Sequence, residues 1–569
     1  MSQAVRKQAA NRDAPRILQS PKYAQTAMPS TLAAKRQAQQ AEHHELLARE
    51  FGLVASAPNG IKKLREMILA LAVRGKLVPQ NPDDVSAGKV FGVIASTSGK
   101  SQLKEVTEQD SPYVLPKGWL WMRLGIATSF GSNEKAGRLY SETWVLDLED
   151  IEKDTSKLLR KLRYAERPAK SEKNLFHSGD VLYGKLRPYL NKVIVADENG
   201  ACTTEILPIR WNASGDPKFL MYALKSPDFL AYVNSKSYGM KMPRLGTMDG
   251  RNALIPVPPV EEQKRITSKI DELMVLCDRM EAQQADADAA HKTLVKTLLD
   301  ALTQSQDAAD FNASWARISE NFDTLFNTEE AIDNLKSVLL ELSITGKLTS
   351  HGENEQHETS AGKHILPRNW GWEKLGDIAD LITKGSSPKW QGVQYTENPD
   401  DVLFITSENV RNFQIDIQSP KYVQKKFNEI EPRSILKEGD FLMNIVGASI
   451  GRTALFNLTV TANINQAVCL IRISSEKFDK QYLLNFFNSR TCINYMFDKQ
   501  VDNARANLSM GNIAKFLVPV PPTAEQRRIV AKVDELMAIC DTLKTRITES
   551  KTLHEQLANA LVKQGAAGV

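Results

Sequence analysis

The sequence predicts an α+β fold in which two mixed α/β domains are separated by long antiparallel coiled-coil helices, with an internal pseudo-two-fold repeat. Three kinds of segment occur twice: a PVPP..EQ sequence that leads into a helical pattern, a helical segment that ends in Gly-Lys-Leu, and a short LP..W sequence. The copies lie at 255–280 and 518–543, at 61–77 and 332–348, and at 115–119 and 366–370. The first pair keeps a constant offset of 263 residues, from Pro258 to Pro521. A chain duplicated in this way should act on something that also has two similar halves.

The repeats divide the chain into seven segments. The N-terminal extension is basic, and we expect it to be partly disordered or loosely helical, with an accessory DNA or partner arm as the alternative. The others alternate between helices and α/β domains. The segments are an extension at 1–58, a helix and linker at 59–114, an α/β domain at 115–258, a long helix at 259–305, a linker and second helix at 306–365, an α/β domain at 366–521, and a long helix at 522–569.

Composition narrows the class of protein. The 569 residues are 42% hydrophobic and 25% charged, as in ordinary globular proteins. No apolar run reaches the roughly 18 residues that a membrane span needs, and the N-terminus does not resemble a secretory signal. The five cysteines form no CxxC pair, so we expect a reduced, cytoplasmic protein with no membrane partner. A net charge of +5 permits nucleic-acid binding without requiring it.

Each proline pair of the PVPP sequence should block a helix before it and let one start after it. Apolar residues then recur every three or four positions, as in a coiled-coil seam. The first copy predicts a helix from about Glu262 to Thr303, on the order of 60 Å long at 1.5 Å per residue. The seam positions are Ile266, Ile270, Leu273, Cys277, Met280, Ala287, Leu294 and Leu298 in the first copy, and Ile529, Val533, Leu536, Cys540, Leu543, Ile547, Leu557 and Leu561 in the second.

Two such antiparallel helices would hold the two domains at a fixed distance, and major-groove faces of B-DNA repeat about every 34 Å. The alternative is a helical dimerisation arm. His291 and His554 hold the same position in the two copies. A residue that fixes helix register, or that faces solvent near a helix end, is the favoured interpretation, and a metal or proton switch is the alternative.

The two α/β domains look almost unrelated in sequence apart from Gly179-Asp180 and Gly439-Asp440. Strands are predicted at 181–183, 192–196, 441–443 and 468–473. Glycine-containing loops in both domains carry cations and amides, which neutralise phosphates and read base edges. Solvated surface loops often look the same, so each loop alone is weak evidence. The candidate DNA-binding residues are Lys185, Arg187, Lys192, Lys241, Arg244, Arg251, Lys384, Lys389, Arg411, Asn444, Arg452, Asn465, Arg505 and Asn507.

A catalytic site is not predicted. The nearest approach to a phosphate-binding loop, Gly92–Ser101, has the wrong spacing, and no Asn-Pro-Pro-aromatic, GxSxG or HExxH motif occurs. The eight histidines lack metal-ligand spacing. A nuclease site of dispersed acidic residues is the remaining alternative.

With these features the chain resembles the specificity subunit of type I restriction-modification systems. The resemblance rests on Pro256–Gln263 and Pro519–Gln526, the helices that follow them, and the paired Arg74–Leu77 and Thr345–Leu348. It implies two target recognition domains that each bind half of a split double-stranded DNA sequence, and no catalytic or metal residues. The chain departs from the family's pattern in two ways. The Gly-Lys-Leu helix precedes each recognition domain, so we expect the N-terminal copy to pair with the C-terminal helix. The extension 1–58 and the insert 304–327 have no repeat partner.

The resemblance further implies partners. The helices would dock two modification subunits, which bind S-adenosylmethionine and methylate adenine, with restriction subunits adding ATP-driven cleavage; S-adenosylmethionine, ATP and Mg²⁺ would then lie on the partners. The same seam residues carry the docking and register prediction: Ile266, Ile270, Leu273, Cys277, Met280, Ile529, Val533, Leu536, Cys540 and Leu543. Two alternatives remain open: the recognition subunit of a type IIB-like enzyme, and a coiled-coil protein adaptor.

Overall fold

The computed structural model describes residues 52–97, 106–131, 134–168, 171–349, 366–367, 369–498 and 508–567. These residues form two compact units. The first unit contains the described residues up to 287 together with 551–567, and the second contains residues 288–550. Each long helix is therefore divided between the two units, and the unit boundaries fall inside the segments predicted from the sequence.

The first unit begins with a helix, continues through the first α/β domain, and includes most of the first long helix. Its helices are α1 Gly60–Val73, α2 Ala87–Thr97, α3 Leu124–Ala127, α4 Pro217–Lys225, α5 Pro227–Lys236, α6 Thr247–Asn252 and the first part of α7 Val260–Gln304. Its strands are β1 Leu120–Arg123, β2 Trp144–Leu146, β3 Leu162–Arg163, β4 Lys173–Phe176, β5 Val181–Gly184, β6 Val193–Val195, β7 Gly200–Thr203, β8 Ile206–Ile209 and β9 Leu254–Val257.

The second unit repeats this order. Its helices are the rest of α7, then α8 Ala308–Glu320, α9 Phe322–Leu325, α10 Glu329–Ile344, α11 Leu375–Ile378, α12 Lys426–Ile430, α13 Lys480–Phe487, α14 Arg490–Asp498, α15 Met510–Ile513 and the first part of α16 Thr523–Ala567. Its strands are β10 Gly371–Lys374, β11 Leu381–Lys384, β12 Tyr395–Thr396, β13 Val402–Ile405, β14 Tyr422–Val423, β15 Asp440–Asn444, β16 Thr453–Phe456, β17 Ala462–Ile464, β18 Val468–Arg472 and β19 Leu517–Val520.

The two α/β domains share a topology that their sequences hide. In each, the first and last strands pair antiparallel and close the domain, β1 with β9 and β10 with β19. Each has one sheet built on a parallel pair, β2 with β7 and β13 with β17. Each has a second sheet in which a hairpin, β5–β6 or β15–β16, is flanked by β8 or β18. The predicted strands are confirmed, and the domains are more alike than the sequence comparison indicated.

Both long helices begin directly after their proline pairs, as predicted. The first part of the predicted seam is also confirmed. Ile266, Ile270 and Cys277 are buried in the first unit, and Ile529, Val533 and Cys540 in the second, while Leu273, Met280 and Leu543 pack partly buried against the same cores.

The later part of the predicted seam is confirmed at Leu298, Ile547 and Leu561, which pack partly buried against the cores, and is wrong at its other positions. Leu294 and Leu557 are about half exposed, whereas the next residues, Val295 and Ala558, are buried. Cys277 and Val295, like Cys540 and Ala558, are separated by 18 residues, which is five turns at 3.6 residues per turn. A heptad repeat assumes 3.5 residues per turn, so it drifts by about 20° per heptad on a helix that does not supercoil. Ala287 lies in the exposed stretch 281–290.

Each core takes the start of one long helix and the end of the other. In the first unit, α1 packs in one cluster with Ile266 and Ile270 of α7 and with Ala558 of α16. Lys63 of α1 forms an ion pair with Glu555 at 3.2 Å. The predicted pairing of the N-terminal helix with the C-terminal helix is confirmed, and the fold class is the predicted one.

The insert 304–327 has a partial repeat partner, contrary to prediction. His291 Nε2 lies 3.1 Å from the carbonyl oxygen of Thr324, and His554 Nε2 lies 3.1 Å from that of Leu53. Thr324 and Leu53 are separated by the same number of residues as Ile332 and Ile61. The short helical turn before each Gly-Lys-Leu helix is therefore duplicated, and each histidine ties it to a long helix. Residues 1–51 lie outside the described residues.

Candidate nucleic-acid interface

Each α/β domain is attached to its long helix by the glutamine of the PVPP..EQ motif. Gln263 Oε1 accepts a hydrogen bond from the backbone N–H of Asp216 at 2.8 Å, and Gln263 Nε2 donates to the carbonyl of Pro258 at 2.9 Å. Gln526 makes the same two bonds, to Asp479 at 2.7 Å and to Pro521 at 2.9 Å. Both glutamines are fully buried. The motif therefore joins helix and domain at one fixed angle.

The aspartates whose backbone N–H groups bind these glutamines also begin a helix of each α/β domain. The side chains of Asp216 and Asp479 cap the first turns of α4 and α13. Both aspartates keep the 263-residue offset of the motif. The sequence analysis missed this match inside the domains, and extending the constant offset upstream would have found it.

Glu262 connects the joint to the LP..W sequence. Its Oε2 accepts a hydrogen bond from the indole N–H of Trp119 at 2.9 Å, and its Oε1 accepts one from Gln80 Nε2 at 2.6 Å. Burial raises the pKa of Glu262, although both hydrogen bonds act in the opposite direction. In the second unit, Asn369 Nδ2 donates to Glu525 Oε2 at 3.3 Å. In the first unit, where Gln80 Nε2 also donates to the carbonyl of Gly75 at 3.1 Å, all three duplicated motifs therefore meet around the start of α7.

The Gly-Asp match between the domains marks an ion pair with a buried aspartate at the base of each hairpin. Arg210 binds both oxygens of Asp180, with Nε to Oδ1 at 2.7 Å and Nη2 to Oδ2 at 2.9 Å. Arg472 binds Asp440 in the same way, at 2.7 and 2.6 Å. The hydrogen bonds with these carboxylates raise the pKa of both guanidinium groups. The pair orients the strand that leads into the β5–β6 or β15–β16 turn.

In the first domain, the structure brings together the two loops that carry the predicted cations, 183–189 and 237–244. The backbone N–H of Arg187, in the β5–β6 turn, donates to the carbonyl of Pro243 at 2.7 Å, and that of Leu245 donates to the carbonyl of Lys185 at 3.0 Å. Arg187 and Lys241 are exposed. Arg187 has a left-handed backbone with φ of 49°, a conformation that is uncommon outside glycine. One continuous surface therefore carries cations from both loops.

Three other candidates of this domain are tied to the protein itself. Lys192 Nζ donates to the carbonyl of Leu148 at 2.7 Å, and burial lowers the pKa of this lysine. Arg244 Nη2 bonds to Glu205 at 2.9 Å while its side chain stays 46% exposed. Arg251 is half-buried on α6, next to Gly125. Arg187, Lys241 and Arg244 are thus the best placed to reach a ligand.

In the second domain, the structure brings Lys384 and Asn465 together. Gly385 lies so close to the chain at 464–465 that a Cβ would fall 1.8 Å from the carbonyl oxygen of Ile464, so only glycine fits. This contact places the exposed Lys384 beside Asn465, whose Oδ1 accepts the N–H of Ala467 at 3.1 Å. Lys389 and Arg411 are exposed and Arg452 is half-buried.

Asn444 corrects the sequence prediction. It is fully buried, and its Nδ2 donates to the carbonyls of Ser407 at 2.9 Å and Val410 at 3.3 Å. An amide in that position braces the turn and has no surface with which to meet DNA. Arg505 and Asn507 lie outside the described residues.

The sequence analysis selected cations in these loops and left out their apolar neighbours. The turn 238–244 also exposes Tyr238 (63%), Met240 (104%) and Met242 (51%). Tyr189 and Trp390 are 48% and 74% exposed in the other loops. Their position within glycine-containing, cation-rich loops is the sequence signal that could have identified these exposed apolar residues.

The register residues lie mostly inside the chain's own cores. Of the ten predicted positions, the buried ones are Ile266, Ile270, Cys277, Ile529, Val533, Leu536 and Cys540. These positions suit the register part of the prediction. The large apolar residues of α7 that face outward are Val275, Leu276 and Leu294, which are 57%, 42% and 50% exposed.

The described residues contain no cluster of three or more histidine, cysteine or acidic side chains arranged to hold a metal ion. None of the helices among them is both long and apolar enough to cross a membrane.

Comparison with known proteins agrees with this architecture. The family model of the type I restriction modification DNA specificity domain matches residues 367–550. The specificity subunit of type I restriction enzyme EcoAI from Escherichia coli is 29% identical, over 88% of this chain and 93% of that protein. The EcoEI specificity subunit from Escherichia coli is 28% identical over the same shares.

A solved structure of a type I R-M system supplies the match in fold. One of its chains is 22% identical, with a TM-score of 0.52 over 80% of this chain and 99% of that chain. The family model covers the second domain, and the relatives extend the match across both duplicated halves. The chain is thus similar to type I restriction enzyme specificity subunits across both duplicated halves, and to their DNA specificity domain over residues 367–550.

Proposed function

We propose that this chain is the DNA sequence-recognition subunit of a type I restriction-modification complex, and that each α/β domain reads one half of a split, asymmetric target. The observation that carries the proposal is that the two domains share a frame but not a reading surface. Gln263 and Gln526 join domain to helix through identical contacts. The loops beyond the frame carry different residues, so the two half-sites should differ in sequence.

The exposed loops have the chemistry for duplex DNA. Arg187 and Lys241 in the first domain, and Lys384 and Lys389 in the second, are exposed cations that can neutralise phosphates. Arginine and asparagine side chains can also read base edges in the major groove. Preformed turns, fixed at their bases by backbone hydrogen bonds, would present these groups without a large ordering cost.

We assign the two long helices two further roles, setting the number of unread base pairs and docking two modification subunits. Each helix is 45 residues long, and in α7 residues 281–290 are all exposed. Because the register residues are largely buried, docking would use the outward face of the helices, where Val275 and Leu276 lie. Catalysis, with S-adenosylmethionine, ATP and Mg²⁺, would belong to the modification and restriction subunits.

The test is to map methylation in a host without its own adenine methylation that expresses this chain together with its modification subunit. We expect methylated adenines at one split sequence, with two defined halves and a constant gap. The matched control expresses the modification subunit alone and should give no such sites. A contiguous motif, or an identical pattern in the control, would overturn the proposal.

A further inference from the structure

The turn 238–244 of the first domain is an apolar projection set among cations. Met240, at its tip, is 104% exposed, and Met242 and Tyr238 are more than half exposed. A side chain at that level of exposure packs against nothing in its own domain. Methionine, tyrosine and arginine are enriched where proteins meet partners, so this cluster indicates a contact surface.

The base of the turn is held rigidly. Tyr238 and Arg244 form an antiparallel pair, with N–H to carbonyl distances of 3.1 and 2.9 Å. Gly239 has φ of +101°, which allows the chain to reverse tightly, and a Cβ there would lie 3.1 Å from the carbonyl oxygen of Met242. Leu245, only 3% exposed, anchors the end of the turn in the core. The tip therefore projects from a fixed platform.

The second domain lacks this apolar tip at the matching place in its sequence. Leu508 matches Leu245, because its N–H donates to the carbonyl of Ile445 at 3.0 Å, as that of Leu245 donates to Lys185. Counting back from these two leucines aligns Met240 with Asn503 and Met242 with Arg505. One domain thus carries two thioethers where the other carries an amide and a guanidinium.

We propose that Met240 is a wedge that enters the duplex at the half-site of the first domain and opens one base step. This rests on the proposed DNA-recognition function and adds a mode of reading to it. Lys241, which is exposed next to the tip, and Arg244, which stays 46% exposed at the base of the turn beside Glu205, suit the phosphates that border such a step. Proteins that kink DNA insert apolar side chains, methionine among them, between base pairs. Selectivity then comes from how easily a given step unstacks.

The test uses the complex of this chain with its modification subunits and the split target mapped as above. The probe is a set of duplexes that carry 2-aminopurine, whose fluorescence rises on unstacking, at one position at a time outside the methylated adenines. We expect a rise at one step in the first half-site. Met240→Asn, which installs the residue found at the matching place, should abolish the rise and weaken specific binding about tenfold. Met240→Leu should retain both.

Lys241→Ala is the matched control for charge. It should weaken binding, lower the salt dependence by about one counterion, and keep the fluorescence rise at saturating protein. Site-specific binding without a rise at any step, or a rise that persists in Met240→Asn, overturns the wedge and leaves the recognition function intact. If Met240→Asn releases the modification subunits while the rise persists, the tip docks protein and the wedge is wrong. If the wild-type complex does not prefer its target over an unrelated duplex, the recognition function itself fails.

Discussion

The two α/β domains agree closely at the helix end and differ at the exposed end. Near the long helices, the same glutamine and aspartate make the same bonds within 0.1 Å. At the exposed loops, the first domain presents Met240 and Arg187, while the second presents Lys384 and Trp390. The contrast teaches that duplication kept the attachment and left the reading surface free to change.

The largest effect should come from replacing one reading surface. Exchange of residues 115–255 for the matching segment of a relative should change one half of the methylated sequence completely and leave the other half and the gap unaltered. The donor must supply Trp119 and Asp216, because the recipient keeps Glu262, which binds the indole N–H of Trp119, and Thr267, which donates to the carboxylate of Asp216. Methylation mapping is the measurement. A change in both halves would show that the surfaces are not independent.

Shortening the long helices should reduce the distance between the two half-sites and leave the sequence of each half-site unaltered. Removing seven residues from each long helix, 282–288 and 545–551, shortens it by about 10 Å and turns the following part by only about 20°. The gap in the target should shrink by roughly three base pairs. A five-residue deletion is the control, since it turns the buried face by about 140° and should prevent assembly. An unchanged gap in a seven-residue variant that assembles would contradict the spacer role.

The two matched Asp–Arg ion pairs should contribute differently to the stability of their domains. The Arg472 side chain is 18% exposed against 56% for Arg210, while both aspartates are buried. Asp440→Asn should therefore destabilise the second domain by about 3 kcal/mol, and Asp180→Asn the first domain by only about 1 kcal/mol. Hydrogen exchange measured separately over each domain tests this. Equal losses would mean that solvent does not screen the Arg210 pair.

The smallest effect concerns the matched cysteines of the two helices. Burial raises the pKa of Cys540 to about 11 and also raises the pKa of Cys277. At pH 8 the thiolate of Cys540 should be about 100-fold scarcer than that of an ordinary thiol, and alkylation correspondingly slow. Mass spectrometry of the folded chain after iodoacetamide treatment measures the rate, with the urea-unfolded chain as control. Rapid alkylation of native Cys540 would place it outside the core.

Much of the fold followed from the sequence because its signals are local. The proline pairs predicted where α7 and α16 begin, and short apolar runs predicted β5, β6, β15 and β18. The seam prediction failed at Ala287, Leu294 and Leu557 because a 3.5-residue repeat drifts away from the 3.6-residue period of an α-helix over five turns. The shared sheet topology stayed hidden because backbone pairing fixes it while side chains vary.

The candidate site was predicted less well, for a different physical reason. Residue type identifies side chains that can bind DNA but does not show whether they are buried. Asn444 was therefore predicted to contact DNA although it is fully buried. Lys192 is likewise turned to a backbone carbonyl. Lys185, Arg187, Lys241 and Arg244 come together in the first domain through backbone contacts that no spacing rule encodes, and their role in binding DNA stays a prediction.

The shared core of α1 and α16 has a consequence for synthesis of the chain. Domains generally fold as units in the order in which they leave the ribosome. Here the first unit needs residues 551–567, which are made after every other part of either unit, whereas the second unit has all its parts once residue 550 has emerged. The half that is translated first should therefore be the half that is completed last. Until then α1 exposes an apolar face to the nascent-chain environment.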